Sequence, residues 1–257
     1  MSVSSLMILF ALYSLIGWAM ETVYCSIPAQ KFVYRGFLYG PVCPIYGFGA
    51  LGIVMVLMPF RNHPELIFIF GIILASVLEY GASFLLEKLF KKSWWDYSDK
   101  KFNINGRVCL LNSTFFGILS LLLVYILHPM LADFLTRIPE TMQAYLAAGF
   151  AAVFCIDLFL SVRNTLDFNR EMHKLTELTE IIEKKRDEIK ASMDIFRVEQ
   201  REKLELELTA LLDTQEESLT IFMRRMHRIL DAFPHMRLQR KDKLSLRDHL
   251  MSYRWKK

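Results

Sequence analysis

The side chains best suited to chemistry in this sequence are carboxylates inside otherwise apolar stretches. Glu21, Glu79 and Asp157 each lie within a run of apolar residues long enough for a membrane. An ionised group at that depth costs several kcal/mol unless it is paired or hydrated, so all three are expected to face the interior of a helical bundle. Such carboxylates hold either an internal cation or a polar or charged ligand, a proton included.

Two arginines are the nearest partners for these carboxylates. Arg35 and Arg107 each adjoin a glycine in a short, basic connection between apolar segments. In one interpretation, Glu21 with Arg35 and Glu79 with Arg107 are internal pairs that fix the connections onto the helices. In the other, the same groups line a cavity for a polar substrate or a proton. The sequence leaves both open.

The elements that must position these groups are membrane-spanning helices. A helix rises about 1.5 Å per residue, so about 20 apolar residues cross a hydrocarbon core of about 30 Å. The chain is 53% hydrophobic, and most of its apolar residues fall in long runs before residue 163. Five segments are predicted to span, namely 3–24, 41–60, 66–86, 110–130 and 142–162.

The basic residues predict the orientation of the spans. Lys31 and Arg35 follow the first span, and six Lys and Arg lie within 88–107, whereas the other two connections hold only Arg61 and Arg137. Since cytoplasmic connections carry the excess of Lys and Arg, the N-terminus is predicted outside and the tail inside.

Cysteine and histidine placement argues against redox, metal and enzyme chemistry. No metal-ligand spacing is present among them, and no nucleophile stands in a pattern with a base. Neither a cofactor nor an enzymatic activity is therefore expected. The four cysteines fall at the predicted cytoplasmic ends of spans or inside the fifth span, where no disulfide is expected: Cys25, Cys43, Cys109 and Cys155.

A pattern in the first two helical pairs suggests a duplication. The segments ETVYCSIPAQKFVYRGFLYGPVC and EYGASFLLEKLFKKSWWDYSDKKFNINGRVCLLNS both run from a glutamate through an aromatic, basic connection to an arginine beside a glycine and then a cysteine. Two tandem helical hairpins would give this pattern, as in repeat-built membrane proteins.

The connection WWDYSDKKFNINGR has two open interpretations, a folded interfacial loop or a ligand-binding loop. Trp94, Trp95 and Tyr97 are amphipathic aromatics suited to the headgroup level. The polar residues Asp96, Asn103 and Asn105 favour side-chain-to-backbone bonds in tight turns.

The second half of the chain predicts a water-exposed helical tail. From Arg163 onward there is no glycine, and apolar residues recur at three- and four-residue steps over 167–233. Such a seam needs a cover, so a hairpin bent near 191–198 or an oligomeric coil is favoured over an isolated rod. Two units follow, a transmembrane domain over 1–164 and a cytoplasmic tail over 165–257, and the fold class is all-α.

The tail ends in a strongly basic segment. Residues 224–257 hold 11 Lys and Arg against 3 Asp. The last part, LQRKDKLSLRDHLMSYRWKK, is a basic amphipathic pattern that suits anionic lipid at the inner leaflet. A solvated helix end is the alternative, and no nucleic-acid partner is expected.

Three blocks in order carry a family resemblance. GWAMETVYCSI, FVYRGFLYGPVCPIYGFGALG and WWDYSDKKFNINGRVCL resemble the bacterial multi-pass membrane proteins grouped as ABC-transporter type IV permeases. The resemblance implies a transport role in the bacterial cell membrane. It also makes candidates of the matching motif positions, which are Glu21, Arg35, Gly36, Gly40, Pro41, Pro44, Tyr46, Gly47, Asp96, Tyr97, Asn103, Asn105, Gly106 and Arg107.

The chain has no Gly-x-x-x-x-Gly-Lys-Ser/Thr phosphate loop, so an ATPase that drives transport would be a separate subunit. The leading hypothesis is thus a permease-like subunit without its own ATPase. The alternative is a membrane scaffold or sensor whose tail recruits a partner or forms a homo-oligomer. The predicted polar site comprises Glu21, Arg35, Glu79, Asp96, Tyr97, Asn103, Asn105, Arg107 and Asp157.

Overall fold

A computed structural model describes residues 1–192, 198–237 and 245–254. Helices dominate it, with one small antiparallel strand pair, β1 (Asn103–Ile104) and β2 (Val108–Cys109). The helices are α1 (Val3–Ala29), α2 (Pro44–Leu57), α3 (Pro64–Phe90), α4 (Leu110–Leu122), α5 (His128–Thr136), α6 (Glu140–Ser192), α7 (Val198–Ala232) and α8 (Leu246–Arg254).

Among the described residues, four stretches are long and apolar enough to cross a membrane: α1, α3, the first part of α6, and Leu110–Thr136, in which a π-helical turn joins α4 to α5. The second predicted span is shorter than the others. The 14-residue α2 and a three-residue 3₁₀ turn after it cover Pro44–Phe60. Its helix begins at Pro44, because proline lacks the N–H that a first turn leaves unpaired. Residues 41–43, predicted as helix, belong to the loop.

The first four apolar helices form two antiparallel hairpins, α1 with α2 and α3 with α4. In each hairpin a glycine on either helix admits a side chain of the other helix so closely that a Cβ would collide with it. Small residues permit this close approach between helices in lipid. The contacts are Gly17 with Tyr46, Gly47 with Ser14, Gly71 with Ser120, and Gly117 with Phe68.

The tail is a helical hairpin. Helix α6 continues without a break from the apolar segment to Ser192, and α7 runs back beside it. Phe168 contacts Phe222, and Gln215 donates a hydrogen bond to Thr179 at 2.9 Å. Of the predicted seam, Leu175, Ile182, Phe222, Met226 and Ile229 are buried in this hairpin and the other described members are half-buried. The predicted bend includes residues 193–197, which lie outside the described residues.

The end of the tail returns to two connections between apolar helices, the first over 30–43 and the second over 91–109. Trp94 is almost fully buried there, against the rings of Phe37, Phe90 and Phe233. The expectation that Trp94 sits at the headgroup level is therefore wrong, because the tail end covers it.

Helix α8 packs on the same cluster. Its Leu246 and Leu250 are buried among tail residues such as Met226 and Met236. The described part of the basic end thus turns these two leucines toward the protein rather than toward lipid. Residues 238–244 and 255–257, which hold much of its charge, lie outside the described residues, and binding of anionic lipid there stays a prediction.

Candidate functional site

The first polar cluster lies where α1 meets the first connection. Helix α1 ends at Ala29, and the backbone N–H of Val33 donates to the Ser26 hydroxyl at 2.9 Å, which brings the chain back beside the helix. Arg35 then reaches Glu21, donating to one carboxylate oxygen from two nitrogens at 2.8 and 3.1 Å. The thiol of Cys43 lies 3.6 Å from the other oxygen. The structure thus contains the Glu21–Arg35 pair expected from the sequence.

Arg35 also contacts the tail. Its guanidinium donates a hydrogen bond to the carbonyl of Ala232, at the end of α7, and lies 5.2 Å from the centroid of the Phe233 ring. With only 16% of its side chain exposed, this cation is held on all sides by protein. One residue therefore joins a membrane helix, the first connection and the end of the tail.

A second arginine fixes the same connection to the tail. Arg228 of α7 donates to the carbonyl of Leu38 at 2.9 Å, and its guanidinium lies 4.0 Å from the centroid of the Tyr39 ring. Guanidinium groups are suited to this combination of hydrogen bonding and stacking. The first connection is thus held by two arginine contacts to the last turns of α7.

Asp157 holds this connection from the membrane side. Its carboxylate accepts hydrogen bonds from the backbone N–H groups of Tyr39 and Gly40, at 2.8 and 2.7 Å, and from the Ser161 hydroxyl at 3.2 Å. Charge-assisted bonds of this kind satisfy an ionised group without a cationic partner. Asp157 is therefore placed to organise the backbone of the connection.

The second polar cluster lies between α3, α4 and the second connection, and its buried carboxylate is Glu79. Only 7% of Glu79 is exposed, and the Tyr97 hydroxyl donates to one of its oxygens at 3.2 Å. The other oxygen, Oε2, has no hydrogen-bond partner among the described residues. Burial, followed by the nearby Glu79 carboxylate, raises the pKa of Tyr97, which keeps this phenol protonated as a donor.

The expected pair of Glu79 with Arg107 is wrong. Arg107 pairs with Glu87 at 2.8 Å and lies 5.4 Å from the centroids of Tyr80 and Phe84. Glu87 stands eight residues after Glu79 on α3, about 12 Å nearer the cytoplasmic end, where the connection begins. Two nitrogens of Arg107, Nε and one terminal nitrogen, have no hydrogen-bond partner among the described residues.

The asparagines of the second connection build its turn. Residues 104–107 form a β-turn closed by a 3.0 Å bond from the Arg107 N–H to the Ile104 carbonyl, and both central residues, Asn105 and Gly106, have positive φ. Asn103 accepts from the Gly106 N–H at 3.0 Å. The Asn105 amide donates to the Tyr80 hydroxyl at 2.9 Å. These contacts favour the folded-loop interpretation for both asparagines.

Asp96 joins the second connection to the tail. One of its oxygens lies 2.7 Å from the Arg237 guanidinium, and the other accepts from the Ser98 backbone at 3.0 Å. Next to it, Ser93 and Arg237 exchange backbone hydrogen bonds of 3.1 and 2.9 Å as an antiparallel bridge. The tail end is therefore bonded to both connections.

A buried amine lies behind this bridge. Lys92 is only 5% exposed, donates to Asn169 of α6 at 2.8 Å and lies 3.5 Å from the centroid of the Phe168 ring. Burial lowers the pKa of Lys92 to about 7. The second connection thus brings a titratable group to the base of the tail.

The two polar clusters are neighbours. Tyr46, on α2, lies near Glu21 and Arg35 of the first cluster and near Tyr97 of the second. The structure therefore brings the predicted residues together as two adjacent clusters at the ends of the hairpins that carry the connections. Asp157 of α6 lies beside the first cluster.

Four residues of the arrangement were not predicted from the sequence: Glu87, Lys92, Arg228 and Arg237. Glu87 lies on α3 eight residues after Glu79, close to two full turns, a spacing that could have signalled a shared face. The two tail arginines were assigned to the basic end as a whole. Nothing in their spacing indicates which connection they contact.

Comparison with known proteins gives one family match. The model of the family described as "Putative ABC-transporter type IV" matches residues 8–162, from α1 into α6 and including both polar clusters on the membrane helices. No curated protein and no solved structure shows significant similarity to the chain. The match covers more than half of the sequence, and the apolar helices fit a membrane protein of this type. The chain belongs to the family described as Putative ABC-transporter type IV.

Proposed function

We propose that this chain is a permease-like membrane subunit of a transport system in the bacterial cytoplasmic membrane, driven by ATP hydrolysis on a separate subunit. The family match and the buried charged groups of the apolar helices support transport. The lack of a phosphate-loop motif in the sequence is the reason for assigning ATP hydrolysis to another chain.

The observation that carries this proposal is the pair of contacts made by Arg35. The same guanidinium bonds the Glu21 carboxylate inside α1 and the Ala232 carbonyl at the end of the tail. A displacement of the tail end would therefore alter the pairing of a carboxylate in a membrane helix. A subunit driven from the cytoplasm needs such coupling between its tail and its membrane helices.

Glu79 is the group we assign to the transported species. Its open oxygen accepts hydrogen bonds, so it suits a proton, a small cation or a protonated donor group rather than an anion. The Tyr97 hydroxyl holds the other oxygen and comes from the connection that the tail clasps through Asp96. Movement of the tail would reach Glu79 by this second route.

A second candidate function, a scaffold or sensor, is favoured by the outer part of the tail hairpin. Beyond the contacts with the connections, α6 and α7 continue together, and the Lys185–Glu207 ion pair at 2.8 Å, half-buried at the lysine and exposed at the glutamate, joins them there. This part can receive a partner without disturbing either polar cluster. In the transport proposal, the ATPase binds here or on the connections.

The test is affinity purification of the full chain from native membranes in mild detergent. We expect a protein with a phosphate-loop motif to co-purify, and its ATP hydrolysis to change when it is bound to the chain. A matched variant, Arg228→Ala with Arg237→Ala, loosens the tail end and is expected to retain the ATPase while abolishing that change.

Two results would contradict the transport proposal. One is a stable partner that lacks a phosphate loop, which supports the scaffold function. The other is an ATPase whose hydrolysis rate is identical in the presence of the wild-type chain and of the loosened variant.

A further inference from the structure

The two cytoplasmic connections share a short motif, Lys-Phe-x-x-x-Gly. It occurs as Lys31-Phe32-x-x-x-Gly36 in the first and as Lys101-Phe102-x-x-x-Gly106 in the second. Both glycines have positive φ, 109° and 64°, a conformation that side chains disfavour, and both are buried. The two connections are therefore similar in sequence and also in backbone conformation at the glycine.

The lysine and the phenylalanine are exposed in both copies. Phe32 is 71% exposed and Phe102 is 78% exposed, and Lys31 and Lys101 are exposed beside them. The polar clusters described above do not use these side chains. In both copies a large apolar ring is exposed next to a lysine. This repeated exposure indicates a partner that binds the phenylalanine ring and the lysine ammonium group together.

The first copy lies beside the end of an apolar helix. The Val33 N–H, one residue after Phe32, donates to the Ser26 hydroxyl in the last turns of α1. Ile27, next to Ser26, is 72% exposed near the end of this helix, which is long and apolar enough to cross a membrane. The bond thereby keeps the backbone at Phe32 close to the exposed apolar end of α1.

In the second copy a different hydrogen bond holds the motif beside an apolar helix. The Phe102 carbonyl accepts a hydrogen bond from the N–H of Leu110, the first residue of α4, at 3.2 Å. Leu110 and Leu111 are exposed at the start of that apolar stretch. Phe102 is therefore level with the first turn of a membrane helix, and its neighbour Ile104 is exposed too.

We propose that these two Lys-Phe pairs are binding sites for anionic phospholipids of the inner leaflet. Each phenylalanine lies at the boundary between headgroups and acyl chains, and each lysine contacts a headgroup phosphate. A lipid with a negatively charged headgroup is selected over a zwitterionic one. A zwitterionic headgroup carries its own ammonium group, which competes with the lysine for the phosphate, whereas an anionic headgroup leaves the phosphate free for the lysine. One such site stands on each helical hairpin.

Lipid fits these sites better than a partner protein because of depth. Both pairs adjoin exposed apolar residues of membrane helices, so the lipid-covered surface continues onto the rings. Lys100 adds a third exposed cation at the second copy, although the exposed Asp99 stands next to it. We therefore expect each lysine of the first copy to contribute more to the preference for anionic lipid than each lysine of the second copy does.

The test uses the purified full chain in bilayers of phosphatidylcholine containing a trace of spin-labelled phosphatidylglycerol or phosphatidylcholine. The measured quantity is the relative association constant of the two labelled lipids. We expect the wild-type chain to prefer phosphatidylglycerol. The Lys31→Gln, Lys101→Gln double variant is expected to lose several-fold of that preference. The surface attraction of one cation limits the loss to about fivefold for each lysine. Raising the salt concentration is expected to weaken the wild-type preference toward that of the variant.

The matched control removes two exposed tail lysines, Lys174→Gln and Lys184→Gln, and is expected to leave the preference unchanged. The Phe32→Ser, Phe102→Ser variant is expected to reduce the association of both labelled lipids at the protein surface.

An unaltered preference in the Lys31, Lys101 variant would overturn the proposal. So would a result in which that variant loses a protein partner in native membranes while its lipid preference is retained, since the surface would then belong to a protein. The lipid measurement needs no transport partner, so its failure is distinguishable from failure of the proposed transport function.

Discussion

The two helical hairpins handle a buried carboxylate differently. In the α1–α2 hairpin, Arg35 from the connection bonds Glu21 directly, and the same arginine contacts the tail. In the α3–α4 hairpin, Arg107 bonds Glu87 near the end of the helix, while Glu79 keeps one oxygen without a partner among the described residues. The contact with the tail passes to Asp96, which pairs with Arg237.

This difference separates a closed site from an open one. In the first hairpin a single cation satisfies the carboxylate and anchors the tail, so the two tasks cannot change independently. In the second hairpin the tasks fall on different residues, which leaves Glu79 available for a ligand. Two similar segments thus hold a structural pair in one case and, in the proposed function, a binding group in the other.

The largest effect is expected from Arg35→Ala. The change leaves the Glu21 carboxylate partly buried and unpaired and removes a donor from the Ala232 carbonyl, so we expect a loss of about 3 kcal/mol or more in the free energy of unfolding. Arg107→Ala, which removes no contact with the tail, is expected to cost less. Thermal or denaturant unfolding in detergent measures both, with Arg137→Ala at an exposed pair as the control that changes little. Equal losses for Arg35 and Arg107 would remove the distinction between the hairpins.

A neutral amide in place of each glutamate is the sharper comparison. Glu21→Gln weakens a charge-assisted pair and is expected to cost about 1–3 kcal/mol. Glu79→Gln replaces a buried carboxyl group that has a single hydrogen bond, so we expect a change below about 1 kcal/mol, in either direction, together with loss of function. Unfolding in detergent and growth or transport of cells carrying each variant separate the two. A fully active, folded Glu79→Gln protein would show that Glu79 is not the binding group.

Loosening the tail at one connection is expected to have a smaller effect. Arg237→Ala removes the pair with Asp96, and we expect a loss of about 1–2 kcal/mol confined to the docking of residues 228–237. Hydrogen exchange measures this as faster exchange there, with α1 unchanged. Faster exchange in all the membrane helices would mean instead that the tail end stabilises the whole bundle.

The effect of pH is gradual and is small over any part of a pH unit. Lys92 has a native pKa of about 7 against 10.5 for an ordinary lysine, so the folded chain binds fewer protons between these values. Stability therefore rises with pH from about 7 to about 10, by at most about 1.4 kcal/mol per unit, and the penalty is complete below pH 7. Lys92→Met is expected to flatten this dependence, whereas the exposed Lys88→Met is not. An unchanged slope in Lys92→Met would contradict the assignment.

The sequence predicted the apolar helices well, because hydrophobic length is a local property. Their orientation, which rests on Lys and Arg placement, stays a prediction. It also predicted the Glu21–Arg35 pair, whose residues are 14 positions apart and joined by a short turn. It failed for Arg107, since the choice between Glu79 and Glu87 depends on how deep the connection reaches. Trp94 was misplaced for a related reason, as its cover comes from Phe233 of the tail.

Contacts of the tail with the connections were beyond sequence reasoning. Arg228 and Arg237 meet their partners, Leu38 and Asp96, across more than 100 residues, and a helical periodicity says nothing about where a hairpin folds back. The apolar seam did predict that α6 and α7 need a cover.

Disulfide cross-linking reports directly on whether the tail end docks on the connections. Ser93 and Arg237 exchange two backbone hydrogen bonds, a geometry in which the Cα atoms are about 5.5 Å apart, within disulfide range. With the native cysteines replaced, we expect a Ser93→Cys, Arg237→Cys chain to form an intramolecular disulfide in native membranes, while Ser93→Cys with Leu206→Cys forms none. Absence of the first cross-link, or equal cross-linking of both pairs, would contradict the account.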